Sequence, residues 1–170
     1  MSRSMVFRAA FAAIAAIGAG QEALAEAGET ASATIVATAE VLAPISLAHD
    51  GNASLSFGSI VLNGIGGTVN VNVAGGHGTT GSVLLIGARL PTRDSFIVTG
   101  EPRRTFTIMT ANGVLGQNGG MAYTTLLGAL TGTLDASGRA SFLVGGELKI
   151  ESHQPPGRYA GSYRVTVTYN

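Results

Sequence analysis

Residues 68–73, TVNVNV, alternate apolar and polar without a break. Val69, Val71 and Val73 fall on one side, and Thr68, Asn70 and Asn72 on the other. Side chains of an extended chain point alternately to the two faces of a sheet, so this run has one dry and one wet face only as a β-strand. The same period of two returns at 31–41 (ASATIVATAEV), 95–99 (SFIVT), 104–110 (RTFTIMT) and 159–170 (YAGSYRVTVTYN). Beyond the first 25 residues no segment carries convincing helical spacing of apolar residues.

Further strands are expected at 43–47, where Pro44 marks a break or an edge, at 55–61 and at 121–127. Residues 82–90, SVLLIGARL, are nearly all apolar and read as a central strand covered on both faces. Residues 139–150, RASFLVGGELKI, read as a strand interrupted at Gly145-Gly146. Between these runs stand Asn63-Gly64, Gly66-Gly67, Gly75-Gly76, Asn112-Gly113, Asn118-Gly119-Gly120, Ser137-Gly138 and Pro155-Pro156-Gly157. These are the residues that tight turns require. Short strands spaced by turns imply an all-β fold, a β-sandwich.

The first residues do not belong to that sandwich. Arg3 and Arg8 precede an apolar run, AAFAAIAAIGAG, at 9–20, and Ala23-Leu24-Ala25 follows as a small-x-small site. This is the layout of a cleaved secretory signal peptide. The run of twelve is shorter than the about 18 residues that a membrane span takes. Cleavage is expected after Ala25, with Ala27 as the alternative. The expected division is therefore 1–25 signal peptide, 26–41 N-terminal extension or first strand, and 42–170 β-sandwich.

From residue 26 the chain keeps 8 Lys and Arg against 9 Asp and Glu, a net charge of −1. Nothing in that balance attracts nucleic acid or an anionic membrane over distance. There is no Cys, so an exported chain of this kind stands on its core alone. No membrane span is expected after signal cleavage, and the chain is expected in the periplasm, at the cell surface or in the medium.

Motifs with chemical meaning are few. Gly76-His77-Gly78-Thr79-Thr80-Gly81 fits the glycine spacing of a dinucleotide site, but a strand-like run follows where the phosphate-binding helix must be, so it reads as an interstrand turn. His49, His77 and His153 stand in separate turn-like segments without metal-ligand spacing. Asp50, Asp94 and Asp135 read as turn-capping carboxylates. No catalytic residue, cofactor or metal is expected, and the chain reads as non-enzymatic. Arg89, Arg93, Arg103 and Arg104 fall within sixteen residues, with Phe96 and Phe106 interspersed. They read either as a solvated strand edge or as a surface that binds a polyanion or protein.

The two end strands remain. Residues 31–41 are either the first strand of their own sandwich or a strand donated to another molecule, with Ala33, Ile35, Ala37, Ala39 and Val41 on one side. At the other end Tyr159, Tyr163, Val165, Val167 and Tyr169 share one parity, and Asn170 follows.

Leu55-Ser56-Phe57-Gly58, Val144-Gly145-Gly146 and the run G-x-Y-x-G-x-Y-x-V-x-V-x-Y-N at 157–170 resemble a family of small exported bacterial proteins, the domain of unknown function 4402. The resemblance spans residues 33–170 and implies an immunoglobulin-like sandwich similar to fimbrial subunits. It brings with it no established activity. By that likeness the chain is expected to be a structural subunit of a surface fibre that assembles by β-strand addition with other subunits. A periplasmic chaperone and an outer-membrane usher would handle it. The assembly residues would be Ala33, Ile35, Ala37, Ala39 and Val41 on the donor side. Tyr159, Tyr163, Val165, Val167, Tyr169 and Asn170 would serve on the acceptor side. The alternative is a self-complete exported module that binds a glycan or protein through Arg89, Arg93, Arg103 and Arg104.

Overall fold

The computed structural model describes residues 33–116 and 120–170. The expected signal segment, both cleavage points and the turn at Asn118-Gly119 lie outside the described residues. The chain divides into two units, Met1–Ala39 and Glu40–Asn170. Of the first, residues 33–39 are described; they are exposed and form no strand.

The second unit is all β, with no helix among the described residues. Its strands are β1 Ser46–His49, β2 Ile60–Leu62, β3 Gly67–Val71, β4 His77–Thr79, β5 Val83–Leu85 and β6 Asp94–Thr99. They continue as β7 Thr105–Thr110, β8 Gly113–Leu115, β9 Met121–Leu127, β10 Thr131–Thr133, β11 Arg139–Ile150 and β12 Val165–Tyr169.

The long strand β11 organises the rest. Val144 pairs with Asp94 of β6 and with Leu127 of β9, so those two strands lie on opposite edges of β11. Leu148 pairs with Val69 of β3 and with Tyr123 of β9. Thus β6 and β3 follow one another along one edge, and β9 takes the other edge of the second half only. Outward from β6 lies β1, outward from β3 lies β4, and outward from β9 lies β8. A second sheet, β10-β7-β12, covers the first half of β11.

Two apolar cores follow. Val98, Phe106, Ile108 and Leu134 are buried between β1-β6-β11 and β10-β7-β12. Phe57, Val69, Val71, Val83, Met121, Tyr123, Leu148 and Ile150 are buried under the second half of β11. The ribbon β2-β5 packs on that second core through Ile60, Leu62 and Leu85. Each large side chain so buried stabilises the fold by about 1.5–3 kcal/mol.

Several expectations from the sequence are corrected. Residues 33–45 form no strand, so the first strand begins at Ser46, after Pro44. Residues 82–90 are not a central strand. They supply only β5, and Leu84, Ile86 and Leu90 are 56%, 47% and 53% exposed. Gly145-Gly146 does not interrupt β11, which runs through both glycines. Close neighbours require both: a Cβ on Gly145 would lie 2.2 Å from the Val71 carbonyl oxygen of β3, and one on Gly146 would lie 2.8 Å from the Thr124 carbonyl oxygen of β9. Of 55–61 only the bridge Ser56–Thr92 and the start of β2 are paired. The alternation at 159–164 is not strand either, although Gly116 N–H donates to the Ala160 carbonyl and holds that stretch beside β8. Within the glycine-spaced motif at 76–81, residues His77–Thr79 are a strand, β4, and no helix follows.

Asp135 caps the turn into β11. Its Oδ1 accepts from the Ser137 hydroxyl at 2.6 Å, the Ser137 N–H at 2.8 Å and the Arg139 N–H at 2.9 Å. The Ser137 hydroxyl first, and the Arg139 N–H after it, hold this carboxyl below its ordinary value of 3.8. A lowered carboxyl contributes stability that is present above 3.8 and is lost as pH falls through the folded-state value. Asp135→Asn is therefore expected to flatten the acid limb of a Tm-against-pH curve below about pH 4 relative to the wild type. Parallel limbs would contradict this account of the turn.

Candidate functional site

Strands β1 and β12 are the edges of their respective sheets, and they face one another across the same side of the sandwich. Their pairing decides which backbone groups are left over. In an antiparallel ladder, alternate residues exchange hydrogen bonds with the partner and the others turn outward. Asp50 N–H donates to the Ser95 carbonyl, which puts Ser46, Ala48 and Asp50 in register with β6. Ile45, Leu47 and His49 then turn their N–H and C=O away from it. Asn170 N–H donates to Thr105 and Ala111 N–H to Arg164, so the even-numbered residues of β12 bond to β7. Val165, Val167 and Tyr169 turn theirs outward. Two open backbone edges therefore border one groove.

The groove is apolar between its ends. Ile45 and Leu47 on one wall, with Val165 and Val167 on the other, pack against the first core but stay half-buried. Inward residues of the central strand β6 are by contrast 0–8% exposed at Val98 and Phe96.

Each end of the groove is closed by a tyrosine. At one end Tyr169 Oη accepts from the Glu101 N–H at 2.6 Å and donates to the Ala43 carbonyl at 3.0 Å, while the Ala43 N–H donates to the Glu101 carboxylate at 3.1 Å. At the other end Tyr163 Oη donates to Asp94 Oδ2 at 2.5 Å, and His49 Nε2 stands 2.7 Å from Asp94 Oδ1. Asp94 is 5% exposed and is the one buried charged residue among the described residues. Ser95 N–H also donates to its Oδ1. Phe96 makes edge contacts with both, its ring 5.2 Å from His49 and 6.3 Å from Tyr163. Burial first, and then the hydrogen bond to Asp94, push the Tyr163 phenol up from 10.0, so it stays a donor across the neutral range. At this end the groove widens into a hollow of about 480 Å³.

The sequence reading missed this cluster. Asp94 does not cap a turn and His49 is not in one: they lie in β6 and β1, 45 residues apart. One signal was present, since Asp94 shares the inward parity of Phe96 and Val98.

Of the residues expected at the acceptor, Tyr163, Val165, Val167 and Tyr169 line the groove. Tyr159 lies elsewhere, against the second core, with its hydroxyl on the Pro155 carbonyl. Asn170 Oδ1 accepts from the Thr107 hydroxyl on β7. Ala33, Ile35, Ala37, Ala39 and Val41 are exposed and unpaired in any strand, Ile35 at 87% and Val41 at 93%. Arg89 and Arg93 precede β6, and Arg103 and Arg104 follow it. Arg93 Nη1 donates to the Val73 carbonyl at 2.6 Å, and Arg104 pairs with Glu40 at 2.6 Å. Among the described residues no three His, Cys, Asp or Glu side chains converge to hold a metal, and no helix is long and apolar enough to cross a membrane.

These elements define the class: a β-sandwich with one side bordered by two unpaired edges. The chain belongs to the family described as a domain of unknown function, DUF4402, whose model matches residues 45–169. That match begins at Ile45, at the foot of β1, and leaves the extension outside it, whereas the likeness read from the sequence began at residue 33. No curated protein and no solved structure matches the chain.

Proposed function

We propose that the chain is an exported, non-enzymatic structural subunit that assembles into a bacterial surface fibre by β-strand addition. The groove between β1 and β12 accepts a strand, and residues 33–41 are the strand it gives to a neighbour. The observation that carries this reading is the paired open edge: Ile45 and Leu47 face Val165 and Val167, half-buried, with outward backbone groups on both walls. An incoming strand would pair with the outward N–H and C=O groups of one of those edges and cover the half-buried apolar residues. Donor and acceptor are different surfaces of one chain, so the contact is head-to-tail, and it builds a fibre where successive rotations do not close into a ring. Before assembly, the open edges call for a periplasmic chaperone that covers them and an usher that exchanges it, because exposed edges pair indiscriminately.

The test uses the exported chain and a chain that begins at residue 42, run unboiled and boiled on SDS gels. The expected result is a ladder that collapses on boiling and is absent from the shortened chain, which still unfolds cooperatively. A strictly monomeric full chain whose shortened form fails to fold would overturn the proposal. The extension would then complete its own sandwich.

A further inference from the structure

Resting on that reading, we infer that the acceptor groove selects the register of the incoming strand, and that the occupant is the extension of a second copy with Ile35 and Val41 set at the two tyrosine closures. The argument begins with spacing. Tyr163 and Tyr169 are six residues apart, and so are His49 and Ala43 on the opposite wall. The closures tie Tyr169 to Ala43 directly and Tyr163 to His49 through Asp94. The two walls are thus matched position by position: Val167 stands across from Ile45, and Val165 across from Leu47. At about 3.3 Å per residue the closures are about 20 Å apart.

What the groove lacks differs along that length. Between the closures the four wall residues are already half-buried on the core. Little apolar surface is left to cover there, and small side chains suffice for it. At the Tyr163 closure the groove widens into the hollow of about 480 Å³ bordered by Leu47, His49, Phe96 and Val165, which takes a large one.

The extension has this pattern. On its one apolar side the order is Ile35, Ala37, Ala39, Val41. Its large residues are six apart, like the closures, with two alanines between. Set in register, Ala37 and Ala39 lie over Val165 and Val167, whichever way the strand runs. Ile35 and Val41 lie over the tyrosines. The shortage of large side chains in the extension is then complementarity to a shallow groove.

Because the chain has no Cys, introduced pairs report register cleanly. Full chains carrying one Cys each, one of them size-tagged, are co-expressed for export and read on non-reducing gels. Ala37→Cys and Ala39→Cys are each expected to form a mixed dimer with Val165→Cys or Val167→Cys. Ile35→Cys and Val41→Cys are expected to give no mixed dimer with either. Mixed dimers from Ile35→Cys or Val41→Cys instead would overturn the register while leaving strand addition standing. No mixed dimer from any extension position, beside an intact ladder of unmodified chains, would overturn the extension as the occupant. No mixed dimer and no ladder would remove strand addition itself. A tagged chain carrying both Ala37→Cys and Val167→Cys that cross-links only within itself would assign the groove to its own extension.

Discussion

Replacing Gly145 with alanine is expected to cost about 3 kcal/mol of stability, and replacing it with valine to leave little folded protein. The added Cβ would stand 2.2 Å from the Val71 carbonyl oxygen and 3.2 Å from the carbonyl carbons of Val71 and Asn72. All three are backbone atoms, so no rotamer change relieves the clash, and β3 would have to move off β11. That ladder also seats Val69, Val71 and Leu148 in the second core, where each is at most 1% exposed. Overpacking in a well-packed core costs roughly 1–3 kcal/mol, and a displaced strand adds lost pairing to that. A domain of this size has about 5–15 kcal/mol in hand. Gly78→Ala is the control, because nothing lies within 4 Å of a Cβ there; its effect is expected to stay within about 0.5 kcal/mol. Urea unfolding followed by the fluorescence of the 4 tyrosines, with no Trp to obscure them, reads both. An unchanged midpoint for Gly145→Ala would refute the packing described for β11.

Asp94→Ala is expected to cost about 2–4 kcal/mol. It strips partners from the Tyr163 hydroxyl, His49 and the Ser95 N–H together, and a buried polar group left without a partner costs about 1–3 kcal/mol. Asp94→Asn keeps the shape and part of the bonding, so it should lose less. Titration gives a second readout. The Tyr163 phenol is raised above 10.0 by burial first and by Asp94 after it. In Asp94→Ala its ionisation should therefore move down toward the ordinary tyrosine range without reaching it. The sign also sets an alkaline limb. A raised phenol contributes stability that is complete below pH 10 and is lost as pH rises toward its folded-state value. Tyr163→Phe should flatten the fall in Tm above pH 10. A Tyr163 that titrates at the same pH with and without Asp94 would mean that the closure does not exist in solution.

The two perturbations separate fold from groove. Gly145 lies in the ladder that holds β3 against β11, away from the open edges, whereas Asp94 joins the wall strand β1 to the approach of β12. An Asp94→Ala chain that remains folded but forms no ladder would connect the polar closure to assembly.

Much of this was legible from residue order alone. Period-two alternation determined that Val69, Val71, Phe96, Val98, Phe106 and Ile108 face inward, because a strand offers only two faces. The parity of Val165, Val167 and Tyr169 determined the groove-lining side of β12 by the same rule. Alternation does not say which edges find partners. Residues 31–41 alternate as cleanly as 68–73, yet 33–41 are unpaired, while the apolar run 82–90 became a short ribbon with three exposed large residues. Pairing depends on which strand arrives alongside, and that is settled by contacts far apart in the chain. The same limit hid the closures. His49, Asp94 and Tyr163 meet only when β1, β6 and the approach to β12 are laid side by side, and no local spacing records it. The sequence by itself determined the faces of the strands. Tertiary structure alone decided that two of their edges stay open opposite one another, because an edge is a property of a strand's neighbours and not of its own residues.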